Sequence, residues 1–227
     1  MTIAENIKAV QARIEAAAKR AGRDSSSTRL LVVTKTVEVE RIREAAAAGA
    51  IILGENRVRE AKEKIEKLGP VASWHLIGRL QANKAKYAVK LFDLIHSVDN
   101  LALARELDRQ AAKAGKIQDV LIEVNISGEA AKAGVAPDDA IVLIRSAAAL
   151  RNIAIRGMMT VPPYSDNPED SRQYFKMLRE LSERVAKELI PNVSMRELSM
   201  GMSGDIEVAV EEGSTMVRVG TAIFGKR

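Results

Sequence analysis

Residues 29–34 read RLLVVT and residues 37–48 read VEVERIREAAAA. The first stretch is a short apolar run rich in β-branched residues, and the second has helical composition that stops at Gly49. Together they make one strand followed by one helix. The same alternation continues along the chain. Ala50–Leu53 precedes a helical stretch over Arg57–Leu68, Ser73–Ile77 precedes Gln81–Lys90, and Asp93–His96 precedes Leu101–Ala114. In the second half Asp119–Asn125 leads into Asp138–Ala149. Ala154–Met158 leads into a long helix with the buried stripe Tyr174, Leu178, Leu181, Val185 and Leu189. Arg196–Met200 with a short helix from Asp205, and finally Thr215–Val219, bring the count to eight strands. Strands separated by single helices pair in parallel, and eight such units predict a closed (β/α)8 TIM barrel; an open doubly wound sheet is the rival arrangement. Before the first strand, Ile7, Val10, Ile14 and Ala18 recur at helical spacing up to Gly22, so the α/β barrel carries an extra N-terminal helix.

A chain of 227 residues with 47% hydrophobic content can build one full core. No linker or low-complexity tract divides it, so a single domain over 1–227 is expected. Its 35 basic residues exceed the 30 acidic ones but are dispersed in sequence. The excess suits an anionic ligand, whereas no basic run points to nucleic acid. The absence of cysteine excludes disulfides and thiolate chemistry, and two histidines, His75 and His96, are too few for an ordinary zinc site, so no metal is expected. The charged first twenty residues are unlike a signal peptide and no apolar run approaches a membrane span, which predicts a cytoplasmic protein without membrane contact.

In such a barrel the site lies at the C-terminal ends of the strands. Period-two alternation puts Leu31, Val33 and Lys35 on one face of the first strand. If that face is inward, Lys35 projects into the barrel mouth, where burial lowers an amine's pKa and frees it to attack an aldehyde; if not, it snorkels to solvent. The last strand runs through Arg218 into the turn Gly220-Thr221. There the glycine allows close approach to a phosphate and the threonine offers a hydroxyl. In the preceding loop Ser203 is a candidate N-cap, with free N–H groups beside it that suit an anion; both glycine turns also suit plain barrel corners. Barrel closure pairs strand eight with strand one, placing Arg218 near Lys35. An amine, a phosphate cradle and an arginine able to face a ring nitrogen suit pyridoxal 5'-phosphate (PLP), although Arg218 could equally make a structural ion pair. Asn56 is a helix cap or a hydrogen-bonding group for the ring, and His75 is a core residue or a ring contact. Asn83 and Lys84 start a helix or serve the rim. Met158 is packing, and the loop through Pro162, Pro163 and Tyr164 is an ordered rim.

These residues stand in long motifs: VTKT around Lys35, GENRVREAKEK from Gly54, WHLIGRLQANKAKY from Trp74, HSVDN from His96, IRGMMTVPP from Ile155, LSMGMSGD from Leu198 and GSTMVRVGTAIFG from Gly213. In these the chain resembles the PLP homeostasis proteins, also called the proline synthetase co-transcribed family, over nearly its whole length. The resemblance implies a PLP fold-type III-like barrel, similar to the N-terminal domain of alanine racemase but without that enzyme's C-terminal β domain. It implies a Schiff base on Lys35, phosphate contacts from Ser203, Gly220 and Thr221, Arg218 facing the pyridine nitrogen, and Asn56 and His75 lining the pocket. Gly204 departs from the acidic residue often found after this serine, so no side-chain role is assigned there. The expected function is non-catalytic homeostasis of PLP (vitamin B6) and amino acids by a monomer, with PLP-dependent apo-enzymes as possible recipients. A weak amino-acid racemase, with Tyr164 or His75 serving the second face, is the alternative, and a PLP-free phosphosugar barrel is a third.

Overall fold

Eight parallel strands close into a barrel in chain order. They are β1 (Arg29–Val33), β2 (Ile52–Glu55), β3 (Ser73–Leu76), β4 (Leu94–Val98), β5 (Gln118–Glu123), β6 (Ile153–Met159), β7 (Val193–Ser199) and β8 (Met216–Val219). The helices are α1 (Ile3–Arg20), α2 (Val39–Ala47), α3 (Val58–Leu68), α4 (Ala85–Leu91), α5 (Leu101–Ala114), α6 (Pro137–Ala148), α7 (Arg172–Ala186), α8 (Ile206–Glu211) and α9 (Thr221–Phe224). The structure, a computed structural model, describes residues 1–225. Among them no helix is long and apolar enough to cross a membrane.

The strands are apolar on both faces because both faces are buried. Inside the barrel Leu31, Val33, Ile52, Leu94, Leu121, Met159 and Met216 pack together. Outside it, Val32, Leu53, Leu76, Ile95, Val120 and Val217 join the helices in the larger core. Leu31 and Val33 thus point in while Val32 points out, the alternation expected of β1. The register opposes Leu31 to Arg218 across the closing β1–β8 pair, Val33 to Gly54, and Gly54 to His75. Leu31, Arg218, Gly54 and His75 therefore share the interior.

α1 starts at a capping box between Thr2 and Glu5 and packs outside the barrel against α8 and α9. The Asn6 amide donates to the Ile223 carbonyl at 2.8 Å, and Arg13 pairs with Glu207 at 2.6 Å while reaching the Ser203 carbonyl at 3.3 Å. The extra helix therefore braces the two loops that follow β7 and β8.

Most element boundaries shift by a residue or a few from the sequence expectation, and those near the site have a physical reason. β2 runs to Glu55 rather than stopping at Leu53, because Lys64 and Thr34 give the buried Glu55 carboxylate partners inside the fold. α4 begins at Ala85 after a 3-10 turn over Ala82–Lys84. The buried residue near the start of α7 is Phe175 rather than Tyr174, and Leu189 lies past the helix end, 86% exposed, at φ +49°. Met158 is fully buried, as packing requires.

Candidate functional site

Arg218 is buried at the C-terminal end of the barrel. Its Nη1 donates to the Ser199 carbonyl at 2.6 Å and to Ser199 Oγ at 2.7 Å, and its Nη2 donates to the Thr160 carbonyl at 2.8 Å. Among the described residues it makes no ion pair within 4 Å, so the structural salt bridge is replaced by a cradle of neutral acceptors. Burial lowers the guanidinium pKa to about 10, against the pull of Asp205 and Glu123, which leaves it charged at neutral pH.

From Arg218 a chain of hydrogen bonds crosses the barrel. Ser199 Oγ lies 3.0 Å from His96 Nδ1, and His96 Nε2 lies 3.1 Å from His75 Nδ1. Its direction follows from the donor inventory, since an arginine cannot accept. Ser199 accepts from Arg218 and passes its own proton to His96 Nδ1; the reverse direction strands the serine proton. His96 then carries hydrogen on Nε2 and donates it to His75, whose proton also resides on Nε2. Both rings are neutral: burial lowers His75 to about 4, and burial, with His75 and Arg218 adding to it, holds His96 well below its ordinary value. In 15N NMR of the cofactor-free protein at pH 7 both histidines are expected as Nε2–H tautomers, His75 staying neutral until the pH nears 4. An Nδ1–H signature on His96 would reverse the chain.

Lys35 follows β1 at the same end and is half-buried, with no carboxylate among the described residues within ion-pair distance of its amine. Across the mouth, Ser203 Oγ accepts the Ala222 N–H at 3.3 Å, which joins the loop after β7 to the Gly220-Thr221 turn. Ser203 is not a helix cap, because Asp205 occupies that position before α8 and accepts the Met202 N–H at 2.6 Å. Asn56 likewise does not cap α3, where Arg57 holds the N-cap position without a side-chain bond. Gly78 lets the ends of β2 and β3 meet, since a Cβ there would lie 2.5 Å from the Asn56 carbonyl oxygen. A Cβ at Gly204 would meet nothing within 4 Å. Tyr164 is 87% exposed and donates to Asp166 at 2.7 Å, away from the buried histidines.

A family model described as alanine racemase, N-terminal domain, matches residues 6–227. A pyridoxal phosphate homeostasis protein of Aquifex aeolicus is 47% identical over 228 residues, covering 100% of this chain and 99% of that protein. The chain belongs to the pyridoxal phosphate homeostasis protein family. Its Pseudomonas aeruginosa relative of the same name is 42% identical, covering 100% of this chain and 96% of that one. PipY of Synechococcus elongatus, solved with PLP bound, matches this homeostasis-family chain with a TM-score of 0.85 at 37% identity, over 99% of this chain and 100% of that one. An alanine racemase of Clostridium difficile shares the fold at a TM-score of 0.80 and 16% identity, over 98% of this chain and 57% of that one.

Three features of this family member escaped sequence reasoning. Glu123, in phase with Leu121 at the end of β5, is a buried carboxyl whose pKa rises to about 7, through burial first and Asp99 second, against Arg218 and Arg79. Lys64 and Glu60 reach from α3 to the loop that bears Lys35. A groove of about 960 Å³ beside Asn56 collects Arg57, Arg59, Lys62, Arg79 and Lys84 against the acidic Asp99. Basic residues dispersed in sequence are thus gathered by the fold. Lys35, Ser203 and Arg218 do not line that groove, which adjoins the mouth at Asn56. A polar residue on the inward phase of a strand end was the signal available for Glu123, His96 and Ser199.

Proposed function

We propose that this protein carries PLP covalently on Lys35 and buffers it, handing it to PLP-dependent apo-enzymes without turning over a substrate of its own. The observation that carries this is a half-buried lysine without an acidic partner at the mouth of a barrel whose relative PipY was solved with PLP bound. The residues present fit the group. Ser203 Oγ and the Gly220-Thr221 turn offer hydroxyl donors and a backbone without a Cβ in the way of a phosphate. Asn56 has a side-chain amide free of capping duty, and His75 presents a neutral ring. When bound, PLP supplies an aldehyde for amines and a conjugated ring that withdraws electrons. Arg218, a fixed and charged donor, would face the ring nitrogen and disfavour its protonation, which weakens that withdrawal.

A racemase needs proton-transfer groups on both faces of its substrate. Tyr164 sits in solvent bound to Asp166, and His75 has its Nδ1 occupied by His96, so neither supports the second role. The cationic groove next to the mouth supports an acidic or phosphorylated partner approaching there. To test the proposal, the protein is incubated with PLP, reduced with borohydride and digested. The pyridoxyl label is expected on the peptide containing Lys35. A label confined to other lysines, or sustained solvent-deuterium exchange at Cα across a panel of amino acids, would contradict the carrier reading.

A further inference from the structure

The stretch GENRVREAKEK places Glu60 and Lys64 four residues apart, hence on one face of α3. That face lies under the loop Thr34-Lys35-Thr36. Lys64 is buried, and its Nζ donates to the Thr34 carbonyl at 2.6 Å, to Glu55 Oε1 at 2.7 Å and to Glu60 Oε1 at 2.6 Å. Glu55 Oε1 also accepts from Thr34 Oγ1 at 2.6 Å. On the other side of Lys35, the Thr36 N–H donates to Glu60 Oε1 at 2.5 Å. The loop is a tight turn, closed by the Val37 N–H on the Thr34 carbonyl at 3.0 Å, with Thr36 at φ +59°. A β-branched residue rarely adopts that left-handed conformation, and such strain persists only where surrounding bonds enforce it.

We propose that Lys64 and Glu60 form a positioning clamp that fixes the backbone on either side of Lys35 and so sets where its amine meets a bound aldehyde. Three features distinguish the cluster from ordinary core support. A buried ion cluster is a poor stabiliser compared with apolar packing of the same volume. Its bonds fall on the residues before and after Lys35. Its carboxylates engage Lys64 and leave the Lys35 amine without an acidic partner, so the two lysines have separate tasks. Burial raises the Glu55 pKa despite these bonds, while the bonds from Lys64 and Thr36 outweigh burial at Glu60 and lower it, so the charge holding Thr36 is the firmer one.

The inference rests on Lys35 being the PLP lysine, and the test separates the two. Full-length Lys64→Met, Glu60→Ala, Glu60→Ala/Thr36→Gly and Lys35→Ala proteins are loaded with PLP, and its release into an excess of a PLP-consuming trap is followed by the bound-cofactor absorption band. Both single clamp variants should still show the band but release PLP about 10-fold faster, because the lysine spends most of its time outside the competent geometry. Glycine adopts positive φ without enforcement, so adding Thr36→Gly should return release toward the wild-type rate. That rescue is not expected of a merely structural role. Unchanged release from folded Glu60→Ala protein, or failure of Thr36→Gly to restore it, overturns the clamp. A band that survives in Lys35→Ala overturns the Lys35 assignment instead. If Lys64→Met does not fold, the Glu60 pair decides alone.

Discussion

Lys35→Ala protein incubated with PLP and passed through a desalting column is expected to emerge without the visible-edge absorption band that wild type retains. The phosphate and ring contacts proposed for Ser203, Thr221 and Arg218 do not involve the Lys35 amine, so PLP should still bind reversibly. A noncovalent complex with Kd of about 1 μM and an association rate of about 10⁶ M⁻¹ s⁻¹ dissociates at about 1 s⁻¹. It empties on any column, whereas a covalent link does not. Among the described residues, Lys64 lies nearest the loop that bears Lys35 and is not placed to substitute. The Lys64 amine is buried and donates to three acceptors, which leaves no lone pair for an aldehyde. Lys84 lines the exposed groove beside the mouth. A column-stable band in Lys35→Ala protein would move the attachment to another residue and remove the basis of the proposed function.

Glu123→Gln should stabilise the cofactor-free protein at pH 8 by up to about 3.5 kcal/mol, and the sign follows from proton linkage. Glu123 titrates near 7 in the fold against 4.5 as its ordinary value. The folded state therefore binds the proton more tightly, and the associated stability is present at low pH and lost as the pH rises through about 7. The interval from 4.5 to about 7, at about 1.4 kcal/mol per pH unit, gives the figure quoted. His75 runs the other way. Its folded value of about 4 lies below the ordinary 6.5, so stability is present above 6.5 and lost as the pH falls toward 4, and His96 adds to the same trend. Between about 4.5 and 6.5 the carboxyl and the histidines oppose each other. Urea unfolding at pH 5, 6, 7 and 8 should give a flatter profile for wild type than for Glu123→Gln, which exposes the histidine slope. A variant that is no more stable than wild type at pH 8 would show that the Glu123 carboxyl is solvated or paired.

The burial of Arg218 was legible because it continues the inward phase of Met216 in β8, whereas Lys35 lies past the end of β1 in the turn closed by Thr34 and Val37. Gly220 and Thr221 were expected as a turn after the last strand, and the structure makes them the N-cap and first residue of the one-turn helix α9. Of the alternatives open for Ser203 and Asn56, the helix-cap reading falls for a shared reason: capping depends on where the helix begins, and Asp205 and Arg57 hold those positions here. Glu55 was placed beyond a strand expected to end at Leu53 because a charged residue inside a strand is disfavoured until a partner such as Lys64, nine residues on, is folded against it.

The order of strands and helices and the position of Lys35 after the first strand follow from the sequence alone, because periodicity is a property of neighbouring residues, whereas closure instead of an open sheet is decided by the pairing of β1 with β8. The connections among inward side chains required the tertiary structure. His96 and Ser199 are 103 positions apart, and Arg218 reaches Thr160 across 58. Whether such groups meet depends on barrel closure and register, and a slip of one residue in a strand turns its inward set outward. Closure converts an arginine, a serine and two histidines from four strands into one directed chain of protons, and folds α3 beneath the loop that presents Lys35.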